Sequence, residues 1–263
     1  MSLACPVDFD SMSLRRHVVE MYERVADTPA DYFHFNVGAD YAVRQLGYDR
    51  AELESLPAWA TSRFAGVGNP FAAGEIPVGA TVVDHACGAG TDLLVAARRA
   101  GAMGHAIGVD ITPAMQRAAR RAAFESGLPA RIEVRAGSFD ALPVDDARAD
   151  VVLSNGVLNL AEDKLRVLGE ARRVLQPGGA LYLADVVLER DLDASARRDP
   201  VIWAACVGGA LTESDLLHAL QMAGFDDVHV AGRYECFRGT SVERKFGTAL
   251  RVASITVHAR KPA

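Results

Sequence analysis

From residue 81 onward the chain alternates short apolar runs with longer stretches whose apolar positions recur every three or four residues. The runs at 81–84, 105–110, 131–135, 150–154 and 180–187 predict buried strands, and 91–100, 113–126, 163–175 and 212–223 predict amphipathic helices. Punctuation agrees with this division. Pro113 suits the first turn of its helix, Gln176-Pro177-Gly178-Gly179 stops a helix before the fifth strand, and Thr212 caps a helix that runs out at Gly224. Short apolar strands alternating with helices predict a parallel sheet covered on both faces. The ending differs: 226–231 and 250–259 read as strands with a polar connection and no helix between them, which predicts an antiparallel edge to the sheet.

The first quarter carries the helical period alone. Val18, Met21, Tyr22 and Val25 fall on one face of a helix over 13–26, with Ser13 as its cap. A shorter helix is expected over 40–46. Asp49 then caps a third, with Glu52 placed for a capping box and Pro57 at its exit. The Gly- and Pro-rich stretch 66–80 leads into the first strand. The expected division is a helical cap over 1–75 that helps form the acceptor site, and a sheet domain over 76–263.

Composition narrows the partners. The net charge is −6, and the arginines are scattered rather than striped, which argues against nucleic acid. No apolar run is long enough to span a bilayer, and the first ten residues lack the basic start and apolar core of a signal peptide, so a cytoplasmic location is expected. Cys5, Cys87, Cys206 and Cys236 are far apart and form no CxxC pair, which predicts free thiols. No histidine spacing suggests a metal site.

The candidate chemistry centres on Thr81 to Asp92. An apolar strand ends in Asp84. Ala86-Cys87-Gly88-Ala89-Gly90 then allows a tight turn, a helix begins near Thr91 or Asp92 as cap, and a second strand ends in Asp110. Strand, glycine turn, helix, strand and acid, with about 20 residues from turn to acid, is the plan of a nucleotide-binding βαβ unit. Leu93 stands where a dinucleotide turn needs its third glycine, and Asp84 suits a cationic ligand better than a pyrophosphate.

These motifs continue in order. Gly137-Ser138-Phe139-Asp140-Ala141-Leu142-Pro143, Asp150 to Asn155 and Arg173 to Gly179 complete a series that resembles the Rossmann-like S-adenosylmethionine-dependent methyltransferases from about Thr81 to Asp185. The resemblance implies an α/β fold with a doubly wound, mostly parallel sheet, an antiparallel C-terminal edge strand and an N-terminal helical cap. It implies S-adenosyl-L-methionine as cofactor. Carried over, Gly88 and Gly90 line the cofactor, Asp84 orients its amino-acid end, Asp110 with Ile111 beside it grips the ribose, and Phe139 and Asp140 flank the base. Asn155 ends the fourth strand against the same ligand, and Tyr22 is a candidate to face the sulfonium. Ala86 stands where the family has Gly, and His85 where it has an aliphatic residue.

Further stretches are similar to the arsenite methyltransferases and their unassigned relatives: Tyr48-Asp49 to Leu56-Pro57, Gly66 to Pro70, Gly108 to Thr112, Ser154 to Leu160, Asp163-Lys164 and Cys206 to Leu211. That family holds trivalent arsenic through cysteine thiolates. Here Val67 and Gly156 stand at two of those positions and only Cys206 remains, so an arsenical would need thiols such as glutathione for its other ligands. The implied activity is methyl transfer to a small molecule, with an arsenite–thiol complex as first acceptor. The alternatives are an organic thiol, hydroxyl or carbon acceptor, or a non-catalytic cofactor-binding protein. A hydroxyl acceptor would need a general base, for which His17 and His34 are the first candidates.

Overall fold

The computed structural model describes residues 3–6, 8–246 and 250–263. Its centre is one sheet in the order β3-β2-β1-β4-β5-β8-β7. The strands are β1 (Thr81–Asp84), β2 (His105–Asp110), β3 (Ile132–Ala136), β4 (Ala149–Asn155), β5 (Leu175–Leu188), β6 (Leu211–Thr212), β7 (Asp226–Tyr234) and β8 (Val252–Arg260). The first five run parallel, and β6 adds two parallel residues to β5. β8 pairs antiparallel with both β5 and β7, so the last strand lies inside the sheet and β7 forms its edge.

Strand periodicity explains why both faces are covered. Val82, Ala106 and Val151 enter one apolar cluster while their neighbours Val83, Ile107 and Val152 enter the other. Alternate side chains point to opposite faces, so apolar residues at consecutive positions demand a helix layer on each side. Helices α5 (Thr91–Arg99) and α6 (Pro113–Glu125) supply one layer; α7 (Lys164–Val174) and α9 (Glu213–Met222) supply the other. The first layer also receives the N-terminal helices α1 (Ser11–Asp27), α2 (Ala39–Leu46), α3 (Arg50–Glu54) and α4 (Ala58–Thr61). Helix α8 (Pro200–Ala204) packs against α1, and α10 (Ser241–Phe246) occupies the connection where no helix was expected.

Several expected caps are replaced. Asp10 rather than Ser13 caps α1, accepting the Ser13 amide at 2.9 Å. Asp49 caps α3 as expected, but Glu52 leaves the capping box to make a two-pronged ion pair with Arg99 on α5 at 2.7 and 2.9 Å. Neither Thr91 nor Asp92 caps α5. Gly90 does so by backbone alone, at φ +92°, and the Asp92 side chain is drawn into the site below.

The candidate cofactor cleft

Strand order reverses between β1 and β4, and the ends of such strands open a crevice at the reversal. Asp84, Asp110 and Asn155 are the last residues of β1, β2 and β4, so topology alone brings them to one place. They line one cleft between the strand ends. Ala86, Gly88, Ile111, Phe139 and Tyr22 line it as well.

Gly90 and Asp140 lie off this wall. Gly90 turns the chain into α5, and a Cβ there would press on Ala119 of α6 at 3.3 Å, so its smallness serves helix packing. Asp140 lines the adjoining groove beside Arg166. Cys206 is not on the cleft wall; it lies behind it, buried, as an electrostatic neighbour of the cleft residue Tyr22. The expected bases His17 and His34 line another groove, between α1, α8 and α10.

The turn is fixed by Asp110. Its carboxylate accepts the Gly88 amide at 2.9 Å and the Thr112 amide at 2.8 Å, tying the end of β2 to the turn after β1. Gly88 has φ +52° and open space where a Cβ would project, leaving room for a ligand against its backbone. Leu93 fits because Gly108 lies opposite. A Cβ at 108 would meet Leu93 Cδ2 at 2.6 Å and Cys87 Sγ at 2.7 Å, so the small residue on the strand replaces the small residue a dinucleotide turn keeps on the helix.

A second brace was not legible in the sequence. Asn155 Oδ1 accepts the amides of Val67 and Gly68 at 2.8 and 3.1 Å, while its Nδ2 donates to Asp92 at 2.9 Å. Tyr48 Oη donates to the other Asp92 oxygen at 2.7 Å. The Asn155 amide is therefore committed to holding the 66–68 loop against α5, and it lines the cleft as a strut. Tyr48-Asp49 and Gly66 to Pro70, two of the stretches similar to the arsenite methyltransferases, meet here.

The turn after β4 is held just as firmly. Asp185 accepts the amides of Val157 and Leu158 at 3.1 and 2.7 Å and the Asn159 side chain at 2.9 Å. Lys164 is buried, donates to the carbonyls of Ala161 and Asn159, and lies over the Trp203 ring at 4.6 Å. Burial lowers its ammonium to about 7 despite the opposing pull of Asp185. A buried cation held by two carbonyls, a ring face and the field of Asp185 thus joins the β4 turn to the segment that carries Cys206.

Electrostatics identify the kind of ligand. Burial pushes the Asp92 carboxyl up to about 6 even though Asn155 and Tyr48 hydrogen-bond to it. Burial, then the nearby Asp92, raises Asp84 well above the carboxylate range, and burial raises Asp110. Three acids sharing one cleft are costly unless something positive joins them. Two buried atoms on the wall, His85 Nδ1 and Thr91 Oγ1, also lack a hydrogen-bond partner among the described residues. A ligand with cationic groups and several hydrogen-bonding atoms, as S-adenosylmethionine is, fits both observations.

The fold and site together define a Rossmann-like protein with a cleft for a small ligand at the carboxyl ends of its strands. Residues 76–224 match the model of a methyltransferase domain family. The arsenite methyltransferase of Halobacterium salinarum is 39% identical over 222 residues, covering 83% of this chain and 56% of the relative. That of Aquipseudomonas alcaligenes is 36% identical over 194 residues, covering 67% and 55%. The chain thus spans little more than half the length of these curated relatives. The crystal structure of an arsenic(III) S-adenosylmethionine methyltransferase from Chlamydomonas reinhardtii superposes with a TM-score of 0.72 at 33% identity, covering 81% of this chain and 73% of that one. The chain belongs to the methyltransferase-domain family, in its S-adenosylmethionine-dependent class. No helix among the described residues is long and apolar enough to cross a membrane.

The raised acids make affinity depend on pH. A cation favours the ionised carboxylates, so binding expels a proton whenever Asp92 holds one. S-adenosylmethionine affinity should therefore rise with pH, falling by up to about tenfold per pH unit as pH drops below Asp92's value of about 6, with the raised Asp84 extending the rise to higher pH. S-adenosylhomocysteine, which lacks the sulfonium charge, should show a flatter profile; calorimetric titration at several pH values distinguishes the two.

Proposed function

We propose that the protein transfers the methyl group of S-adenosylmethionine to a trivalent arsenical held by the Cys206 thiolate, with glutathione or another thiol supplying the remaining sulfur ligands. The cofactor supplies an electrophilic methyl group on sulfonium sulfur. The protein's own residues would position and desolvate: Asp84 and Asp110 bind, Asn155 and Asp185 fix the loops that border the acceptor side, and Tyr22 separates cleft from thiol. The N-terminal part, residues 1–75 in the expected division, would supply Tyr22 from α1 and Tyr48 and Val67 from its loops to this arrangement.

The observation that carries the reading is the conformation of Cys206. It follows α8 at φ +64°, a left-handed geometry that glycine adopts freely and that costs other residues about 1–2 kcal/mol. Two glycines, Gly208 and Gly209, stand close by, yet the strained position keeps a thiol. Burial, then Asp185 and Cys236, pushes that thiol well above its ordinary range. A bare thiolate is thus disfavoured there, whereas a neutral arsenic–sulfur bond suits an apolar surround. The relatives described above, arsenite and arsenic(III) methyltransferases, point the same way.

Val67 and Gly156, at the two positions where the resemblance places cysteines, are neighbours in space: a Cβ on Gly156 would lie 3.2 Å from Val67 Cγ1. Their apolar surface is the observation that favours the second reading, an organic thiol, hydroxyl or carbon acceptor. Labelled methyl transfer to a panel containing arsenite with glutathione, small thiols and phenols separates the readings. Label in methylated arsenic supports the first, label only in an organic product the second, and cofactor binding without transfer a non-catalytic protein.

The same neighbourhood predicts a gain. Val67→Cys would return a thiol to the buried cluster that holds Cys206. Arsenite turnover by this variant should saturate at a glutathione concentration several-fold lower, because one external ligand becomes internal; an unchanged glutathione dependence would place position 67 away from the acceptor.

A further inference from the structure

We propose that His85 is a cofactor-binding residue, its ring Nδ1–H donating a hydrogen bond to an acceptor atom of S-adenosylmethionine in the cleft. The inference rests on the assignment of the cleft to that cofactor and adds a contact at the position where the family carries an aliphatic side chain. His85 follows the acid that ends β1, is 2% exposed, and lines the cleft. Its Nε2 lies 2.8 Å from Ser154 Oγ on the adjacent strand β4. Its Nδ1 is buried with no partner among the described residues.

The serine decides which nitrogen carries the proton. Ser154 is completely buried, and the imidazole is its hydroxyl's one side-chain partner among the described residues. If Nε2 donated, both the serine proton and the Nδ1 lone pair would lack partners. If Ser154 donates to Nε2, the unpaired donor is the Nδ1–H, on a residue that lines the cleft, and the serine lone pairs go unused. A buried donor without a partner is costly, and the Nδ1–H can reach a ligand in the cleft where a serine proton off its wall would not, so this arrangement is preferred. Burial also keeps the ring neutral by lowering it to about 4. The result is one fixed neutral donor on a wall that also carries Asp84, Asp92 and Asp110. Carboxylates take the positive parts of a ligand; a neutral N–H takes an acceptor, which S-adenosylmethionine offers in its carboxylate, ribose oxygens and adenine nitrogens.

The test uses calorimetric titration of S-adenosylhomocysteine and of 5′-methylthioadenosine, which lacks the amino-acid end, into wild type, His85→Leu and Ser154→Ala. His85→Leu should bind S-adenosylhomocysteine roughly 3- to 10-fold more weakly, the loss of one neutral hydrogen bond. Without ligand, its melting temperature should stay close to wild type, since leucine removes one unpartnered buried atom, His85 Nδ1, and leaves another, the Ser154 hydroxyl. A histidine that only fills the core would give the reverse pattern. Ser154→Ala frees the tautomer and should weaken binding less. Equal weakening of 5′-methylthioadenosine places the contact on the adenosine half, and no weakening of it places the contact on the amino-acid half; both support the proposal. Unchanged S-adenosylhomocysteine affinity in His85→Leu overturns it, whereas failure of wild type to bind would overturn the assignment of the cleft instead. If His85→Leu does not fold, nitrogen NMR of the wild-type ring decides. Nδ1 should be the protonated nitrogen and its resonance should shift on adding ligand; a proton on Nε2 or an unmoved Nδ1 resonance overturns the proposal.

Discussion

Cys206→Ser should lower the rate of arsenite methylation by at least about a hundredfold while leaving S-adenosylmethionine affinity within about twofold. The size follows from coordination: changing even the outer partners of a coordinated centre costs roughly 10- to 100-fold, and Cys206 is proposed as the direct ligand. The selectivity follows from position, since Cys206 is behind the cleft wall and, among the described residues, no hydrogen bond of the cleft uses its sulfur. Serine keeps the side-chain shape and the left-handed strain but buries a hydroxyl in an apolar surround, so a stability loss of about 1–3 kcal/mol is expected and turnover is compared well below the melting temperature. Cys236→Ala is the control, because it removes a second buried thiol from the same cluster without the strained geometry. Turnover of Cys206→Ser equal to wild type would remove the thiolate from the account.

Asp110→Asn should weaken S-adenosylmethionine by roughly 10²- to 10³-fold, measured by titration. A hydrogen bond to a charged group contributes about 1.5–3 kcal/mol, and the resemblance gives this carboxylate both ribose hydroxyls. The same side chain accepts the Gly88 and Thr112 amides, so the variant also loosens the turn that borders the ligand. A ligand effect with unchanged melting temperature would assign the loss to the ribose contact. A large fall in stability with little change in affinity would make Asp110 a brace of the turn.

Most of the fold was legible because it follows from periodicity. Val82-Val83 and Val151-Val152 must each serve two faces, and that requirement forces the layers on both sides. The strand-end acids were legible because the turn between Asp84 and Asp110 is local. What escaped was set by distant partners. Asp92 reads as a helix cap but is drawn to Tyr48 and Asn155, and Glu52 reads as a capping-box residue but pairs with Arg99. The two-residue β6 and the six-residue α10 are too short for a period to show. Asn155 was placed in the cleft by its motif, yet its work in holding Val67 and Gly68 depends on a loop 87 or 88 residues away. The strain at Cys206 has no sequence signal either, because cysteine rarely stands in a left-handed position.

The most direct measurement is X-ray absorption at the arsenic edge of protein loaded with arsenite and glutathione. The account predicts an arsenic centre bound only by sulfur, retained with the protein through gel filtration and lost in Cys206→Ala. Arsenic that stays oxygen-bound, or is retained equally by Cys206→Ala, would contradict it.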